Sequence, residues 1–273
     1  MRDTNIDHLL EVGAARLALQ LGKGARKYGW NRKSVGCAAT DSSGQWVWVK
    51  VFGKCSDSTE SKLWDGEILA SEVFRQVHKP KVLSHVDWCD SGWTWRCLVM
   101  ELIQEPMLSE TPNLPPWSVL PEGWAGRVFS AMQQIATHTT ERVGVRQDLV
   151  TRRIAETFGA QVPSKVESWV AGHNDLHFAN ISARTACILD WESWGTVPQG
   201  FDAAWLYCNS LANRHASRAI YEALEPLLVG YSGALSLLFA AAELKRMYQL
   251  HGEHSAIQRS LEQVAEQALR ELA

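Results

Sequence analysis

The hydrophobic pattern of this 273-residue chain changes period once, and the change falls at a proline-rich segment. Upstream, Ser34 to Thr40 and Gln45 to Phe52 flank Asp41-Ser42-Ser43-Gly44, a turn composition that predicts an antiparallel hairpin. In the second run Trp46, Trp48 and Lys50 share one face of a strand, and Val47, Val49 and Val51 share the other. A helix is expected over roughly Leu63 to Val77, stopped by Pro80, followed by strands over Val82 to Asp87 and Trp95 to Leu102. Gln104 to Pro121 then carries Pro106, Pro112, Pro115, Pro116 and Pro121, the composition of a connector. Beyond it the period is 3.6. Val128, Met132 and Ile135 recur at helical spacing, as do Val150, Ile154 and Phe158, with Gly159 placed to end that helix. The last segment gathers Leu261, Val264, Ala265, Ala268, Leu269 and Leu272 on one face. One short island, Ala186 to Trp191 (ACILDW), reads as a buried strand. The expectation is an α+β protein with a small β-rich lobe over residues 1–103 and a larger helical lobe over 104–273.

Composition narrows the class of function. A net charge of −3 gives no electrostatic reason to expect nucleic acid or an anionic membrane as partner. No apolar run approaches the roughly 20 residues a membrane-spanning helix needs. Asp7 and Glu11 stand where a signal peptide would place its apolar core, so a cytosolic protein is expected. The six cysteines are scattered without a close CxxC pair, which argues against a zinc ribbon or a disulfide framework.

The stretch that carries chemistry is Gly172 to Trp194, GHNDLHFANISARTACILDWESW. It places His173, Asp175 two residues on, Asn180 five residues after that, and Asp190 at the end of the apolar island. Phosphoryl transfer needs a carboxylate near the acceptor hydroxyl and hard oxygen ligands for the magnesium that neutralises the phosphates. A loop bearing Asp175 can bring Asn180 back to the same side, and a hairpin entered at Ile181 can deliver Asp190 there.

The pattern H-x-D-x-x-x-x-N followed by I-L-D-W resembles the aminoglycoside phosphotransferase and choline kinase group, relatives of the protein kinases. The resemblance implies a two-lobed protein-kinase-like fold, ATP or GTP as phosphoryl donor and Mg2+ as cofactor. Asp175 then matches the catalytic base, Asn180 a metal ligand and Asp190 the main metal ligand. His173 matches a loop histidine that holds the loop by hydrogen bonds, and Asp202, in GFDAAWLY, matches a brace at a helix start. Upstream, WVWVKVF resembles the strand bearing the phosphate-binding lysine, which makes Lys50 the candidate. Its partner is open between Glu67, at the family's usual distance, and Glu72, within the apolar arc of Ile68, Leu69, Val73 and Val77. LVMELI resembles the last strand before the hinge, with Met100 and Leu102 as nucleotide-binding positions. The common loop reads H-G-D-L-H-P-G-N, and this chain has Asn174, Phe178 and Ala179 instead of Gly, Pro and Gly. No G-x-G-x-x-G occurs to cover the phosphates.

The implied partner is a small hydroxylated molecule. Only eleven residues separate Asp190 from Asp202, and no A-P-E element is present to hold a peptide substrate. An antibiotic is the leading acceptor, with a primary metabolite of the choline, homoserine or sugar type, or a nucleotide-binding protein without catalysis, as alternatives. A metallohydrolase built on His173, Asp175 and His177 is a competing class, although companion histidines are missing nearby.

Overall fold

The computed structural model describes residues 5–56, 63–251 and 257–273. The chain divides into two compact units, one made of residues 1–72 and 79–104 and the other of residues 73–78 and 105–273.

The first unit is an antiparallel sheet with a helix on each face. Its strands are β1 (Gln20–Leu21), β2 (Lys27–Tyr28), β3 (Ser34–Thr40), β4 (Trp46–Cys55), β5 (Val82–Asp90) and β6 (Trp93–Glu101). They are ordered β1-β3-β4-β6-β5, and β2 also pairs with β3. The turn from β3 to β4 closes as its composition predicts. Asp41 Oδ1 accepts from the backbone N–H groups of Ser43 and Gln45, and Gly44 takes a φ of 82° that favours glycine. The alternation in β4 sorts as expected. Val47, Val49 and Val51 are buried in a core shared with Val35, Cys37, Cys97 and Val99. Ile6, Leu9 and Leu10 of helix α1 (Ile6–Arg16) complete that core, at the spacing of one helix face. Asn5 caps α1, its Oδ1 accepting from His8 N at 3.3 Å.

Lys50 lies on the other sheet face, where helix α2 (Gly66–Val73) lies. This helix is shorter than the expected Leu63 to Val77 span. Its buried side is Gly66, Glu67 and Ala70, while Leu69 and Val73 are exposed. The helix ends at Val73, and Phe74, part of the second unit, has ring centroids 4.8 to 5.1 Å from Trp191, Trp194 and His138 of that same unit.

The second unit is mainly helical: α3 (Trp124–Ala136), α4 (Gln147–Phe158), α5 (Phe201–Ser210), α6 (Arg214–Leu228), α7 (Gly230–His251) and α8 (Gln258–Leu272). Gly159 ends α4 with a φ of 104°. A two-stranded antiparallel sheet, β7 (Trp169–Gly172) with β8 (Gly195–Pro198), brackets the motif segment. Among the described residues no helix is long and apolar enough to cross a membrane.

The buried strand expected over Ala186 to Trp191 is not formed. Ala186 and Asp190 both have left-handed backbone, with φ of 56° and 64°, which breaks the pleat at each end. What remains is a single bridge from Ile181 to Ile188. The excursion is held locally instead. Ser182 N donates to Cys187 O, Cys187 N donates to Ser182 Oγ, and Leu189 N donates to Asn180 O, all at 2.8 to 2.9 Å.

Candidate active site

The motif loop is built around a fully buried histidine. His173 Nδ1 accepts from Asp175 N at 3.3 Å, and its Nε2–H is directed at Leu189 O at 3.0 Å. One ring therefore joins the segment of Asp175 to the residue preceding Asp190. Burial lowers the His173 pKa to about 4, against the attraction of the Asp190 carboxylate, so the ring is neutral and serves as a strut. With both ring nitrogens engaged, His173 has no lone pair to offer zinc. Among the described residues no group of three or more His, Cys, Asp or Glu is arranged to hold a metal ion.

Asp202, in the first turn of α5, braces the same loop. Its Oδ2 accepts from His173 N at 2.6 Å and its Oδ1 from Asn174 N at 2.9 Å. The approach requires a glycine at position 172, because a Cβ there would stand 2.8 Å from Asp202 Oδ2. Burial raises the Asp202 pKa to about 6, although both N–H donors favour the charged form. Asn174 has a φ of 69°, which accounts for the glycine usual at this place and for asparagine being accepted in its stead. Its amide also donates to Ser193 O at 3.2 Å.

Asp175 and Asn180 come together within this unit. Asn180 Nδ2 donates to Asp175 O at 3.0 Å. Since the amide is planar, that bond turns Asn180 Oδ1 to the opposite side as an available kind of hard donor. Asp190 follows Leu189, which His173 and Asn180 both tether, and its left-handed backbone turns the chain into a short 3-10 turn over Trp191–Ser193. One amide oxygen and one carboxylate suit magnesium, which keeps several waters and needs few protein ligands. The residues fit that ion.

Asp175 sits among carboxylates. Partial burial, then Asp190, Glu192 and Asp202, raise its pKa to about 7, while the hydrogen bond from Asn180 opposes the shift. A carboxylate near neutrality is matched to taking a proton from a hydroxyl group.

Two residues near the motif, Arg142 and Glu105, leave no trace in the sequence, and His177, named there only in the competing metallohydrolase set, lies beside the motif pair. His177 places Nε2 3.6 Å from Asp175 Oδ1 and 3.4 Å from Asn180 Nδ2, and burial lowers its pKa to about 4. Arg142 donates from Nε to Trp194 O and from Nη2 to Glu192 O, both at 2.9 Å, and lies over the Trp194 ring. Glu105 accepts from Arg184 N, Thr185 N and the Thr185 hydroxyl, pinning the turn between Asn180 and Asp190. Arg142 and Glu105 are 50 and 80 residues from their partners, and no local pattern announces them.

In the first unit, Lys50 Nζ lies 3.8 Å from Glu67 Oε1, with 12% and 9% of the two side chains exposed. Of the two candidate glutamates, Glu67 stands beside Lys50, and Glu72 falls on the exposed side of α2. The apolar arc that favoured Glu72 is not the buried one, since Leu69 and Val73 face outward. Met100 is buried in β6 opposite Trp48 and Val82, and half-buried Leu102 follows the end of that strand.

With this geometry in hand, comparison with solved structures is informative. An amicoumacin kinase, hAmiN, solved in complex with AMP-PNP, Ca2+ and Ami, superposes with a TM-score of 0.57 at 13% identity, over 98% of this chain and 94% of the other. The spectinomycin phosphotransferase APH(9)-Ia, solved with ADP and spectinomycin, gives 0.55 at 10% identity, over 98% and 97%. The macrolide 2'-phosphotransferase MphH from Brachybacterium faecium, an apoenzyme, gives 0.54 at 15% identity, also over 98% and 97%. The chain has the fold of these phosphotransferases. The resemblance read from H-x-D-x-x-x-x-N and I-L-D-W thus holds at the level of the kinase-like α+β fold. No protein-family model and no curated sequence matches the chain.

Proposed function

We propose that this protein transfers the γ-phosphoryl group of ATP or GTP to a hydroxyl group of a small molecule, with an antibiotic as acceptor. The observation that carries the reading is the local join of Asp175, Asn180 and the Asp190 segment. Asn180 bonds the Asp175 carbonyl, and His173 ties Asp175 to Leu189. In this reading the Asp175 carboxylate orients the acceptor hydroxyl and takes its proton as the oxygen bonds to the γ-phosphorus and the bond to the nucleoside diphosphate breaks. Asn180 and Asp190 would hold Mg2+, which when bound would neutralise charge on the phosphates. Lys50, 3.8 Å from Glu67, contacts the α/β-phosphates, and Met100 and Leu102 belong to the strand end that receives the base. His173 and Asp202 keep the loop in shape without touching the reacting atoms.

The antibiotic acceptor rests on the kind of molecules that the three similar structures name, amicoumacin, a macrolide and spectinomycin. The short interval between Asp190 and Asp202 supports a small acceptor over a peptide. The test is a screen of hydroxylated antibiotics and primary metabolites for ADP or GDP release, with mass spectrometry of the acceptor and the Asp175→Asn variant as control. Phosphorylation of an antibiotic that the variant cannot perform is the expected result. Label transfer to peptides alone, or turnover retained by the variant, would refute the reading.

A further inference from the structure

The pairing of Lys50 with Glu67 depends on where α2 begins, and one residue decides that place. We infer that Arg96, in the middle of β6, is a positioning residue that holds the start of α2 so that Glu67 reaches Lys50. The nucleotide arm of the argument rests on the proposed function above; the structural arm does not.

Arg96 is on the same sheet face as Lys50, one pleat repeat away. Lys50 is opposite Leu98 and Phe52 is opposite Arg96 across the β4–β6 ladder. Arg96 is 5% exposed, and the contacts of its guanidinium reach two elements. Toward the sheet, Nε and Nη2 grip both oxygens of Asp87 on β5 at 2.7 Å. Toward the helix, Nη1 donates to Trp64 O at 2.9 Å and to Asp65 Oδ1 at 3.0 Å, and the group lies over the Trp64 ring, 4.4 Å from its centroid. Asp65 is the residue from which α2 starts, since its carbonyl accepts from Leu69 N. Arg96 therefore holds the last two residues before the helix against a strand that Asp87 has already fixed. Ser71, farther along α2, accepts from Val82 N at 3.1 Å and fixes the helix azimuth at the other end.

A buried charged cluster is a poor way to gain stability alone, because desolvation offsets most of the attraction. What the forked geometry supplies is direction, since a guanidinium bonds only along its own plane. Asp65 and Glu67 are two residues apart, so a slip at the helix start passes to Glu67 nearly undiminished, at about 1.5 Å of rise per residue. The Lys50–Glu67 contact, at 3.8 Å, has little room to lengthen and remain an ion pair. Contacts at Trp64 and Asp65 on one side and at Ser71 on the other thus anchor the helix to the sheet.

The experiment measures amide hydrogen exchange over residues 66–73 and the Mg2+-dependent Kd for ATP in the intact protein. The variants are Arg96→Met, which keeps the aliphatic contact with Trp64, Glu67→Gln, and the two combined. Asp65→Asn is included as a second variant because it removes only the charge on the helix side and leaves the buried Arg96–Asp87 pair and the Trp64 carbonyl contact in place. Arg96→Met and Asp65→Asn should speed exchange in 66–73 while leaving α1 unchanged. Arg96→Met should weaken ATP binding roughly tenfold, within the range of coupled neighbours, and the double variant should be no weaker than Glu67→Gln. Arg96→Lys, with charge but no fork, should restore little. Losses that multiply in the double variant, or α2 exchange unmoved in both Arg96→Met and Asp65→Asn, would overturn the inference. If the parent binds neither ATP nor GTP, the kinase reading fails, and the exchange measurement alone decides the role of Arg96.

Discussion

Asp202→Asn isolates the brace beneath the motif loop. The parent carboxylate accepts from two backbone N–H groups, of His173 and Asn174, at 2.6 and 2.9 Å. An asparagine has one acceptor oxygen, so one buried donor faces an NH2 group, at a cost of about 1–3 kcal/mol. Against that, the substitution removes a charge whose burial is unfavourable. The folded pKa of about 6, set against 3.8 for the free group, corresponds to ~3 kcal/mol at pH values above both. The two effects nearly cancel at neutral pH. Acidification separates them. A carboxylate whose folded pKa is raised contributes stability that is complete below 3.8 and lost as the pH climbs through 6. Between pH 7.5 and pH 5 the parent therefore recovers about tenfold in its folding constant from this group, ~1.4 kcal/mol, and the asparagine variant recovers none. Urea denaturation at the two pH values measures the difference. Asp175 also responds to the Asp202 charge, so the comparison belongs in an Asp175→Asn background. Expected is a variant equal to or slightly more stable than its parent at pH 7.5, and about 1.4 kcal/mol worse relative to it at pH 5. A stability difference that does not change with pH would refute the reasoning, because Asp202 would then be charged throughout.

Within the catalytic proposal, Asp175→Asn should lower kcat by about 100-fold or more and leave the ATP Kd within about twofold, whereas Asp190→Ala should raise the Mg2+-dependent Kd as well. Isothermal titration and ADP release separate the two, and equal effects on binding would sink the division of roles. Gly172→Ala forces a Cβ within 2.8 Å of Asp202 Oδ2 and against Val197, so a loss of roughly 1–3 kcal/mol is expected by denaturation. Its turnover should fall in parallel, since the loop moves with Asp202. Arg142→Ala removes charge-assisted bonds to the Glu192 and Trp194 carbonyls and should cost about 2–4 kcal/mol. Arg142→Lys should recover only part of this, having one ammonium where two carbonyls were met by a fork.

Much of this protein is legible from local pattern, because local pattern is where backbone sterics and side-chain alternation act. The β3–β4 hairpin follows from Asp41-Ser42-Ser43-Gly44, whose own side chain closes the turn. The opposite facing of Lys50 and Val49 follows from a period of two, and the close packing of His173, Asp175 and Asn180 from a loop too short to separate them. What the sequence left open was settled by contacts distant along the chain. Ile68, Leu69 and Val73 draw an apolar arc that points to Glu72, yet the face that is buried runs through Glu67, where Arg96 of β6 and Val82 of β5, on strands that come later in the chain, bond to Asp65 and Ser71. ACILDW has the composition of a strand but breaks at Ala186 and Asp190, where bonds to Ser182, Asn180 and His78 outweigh β-propensity. The pairing of β7 with β8 and the holds of Arg142 and Glu105 join residues 23 to 80 positions apart. A hydrogen bond at that separation leaves no periodic trace in either segment, since each partner is one polar residue among many until folding brings the two within 3 Å.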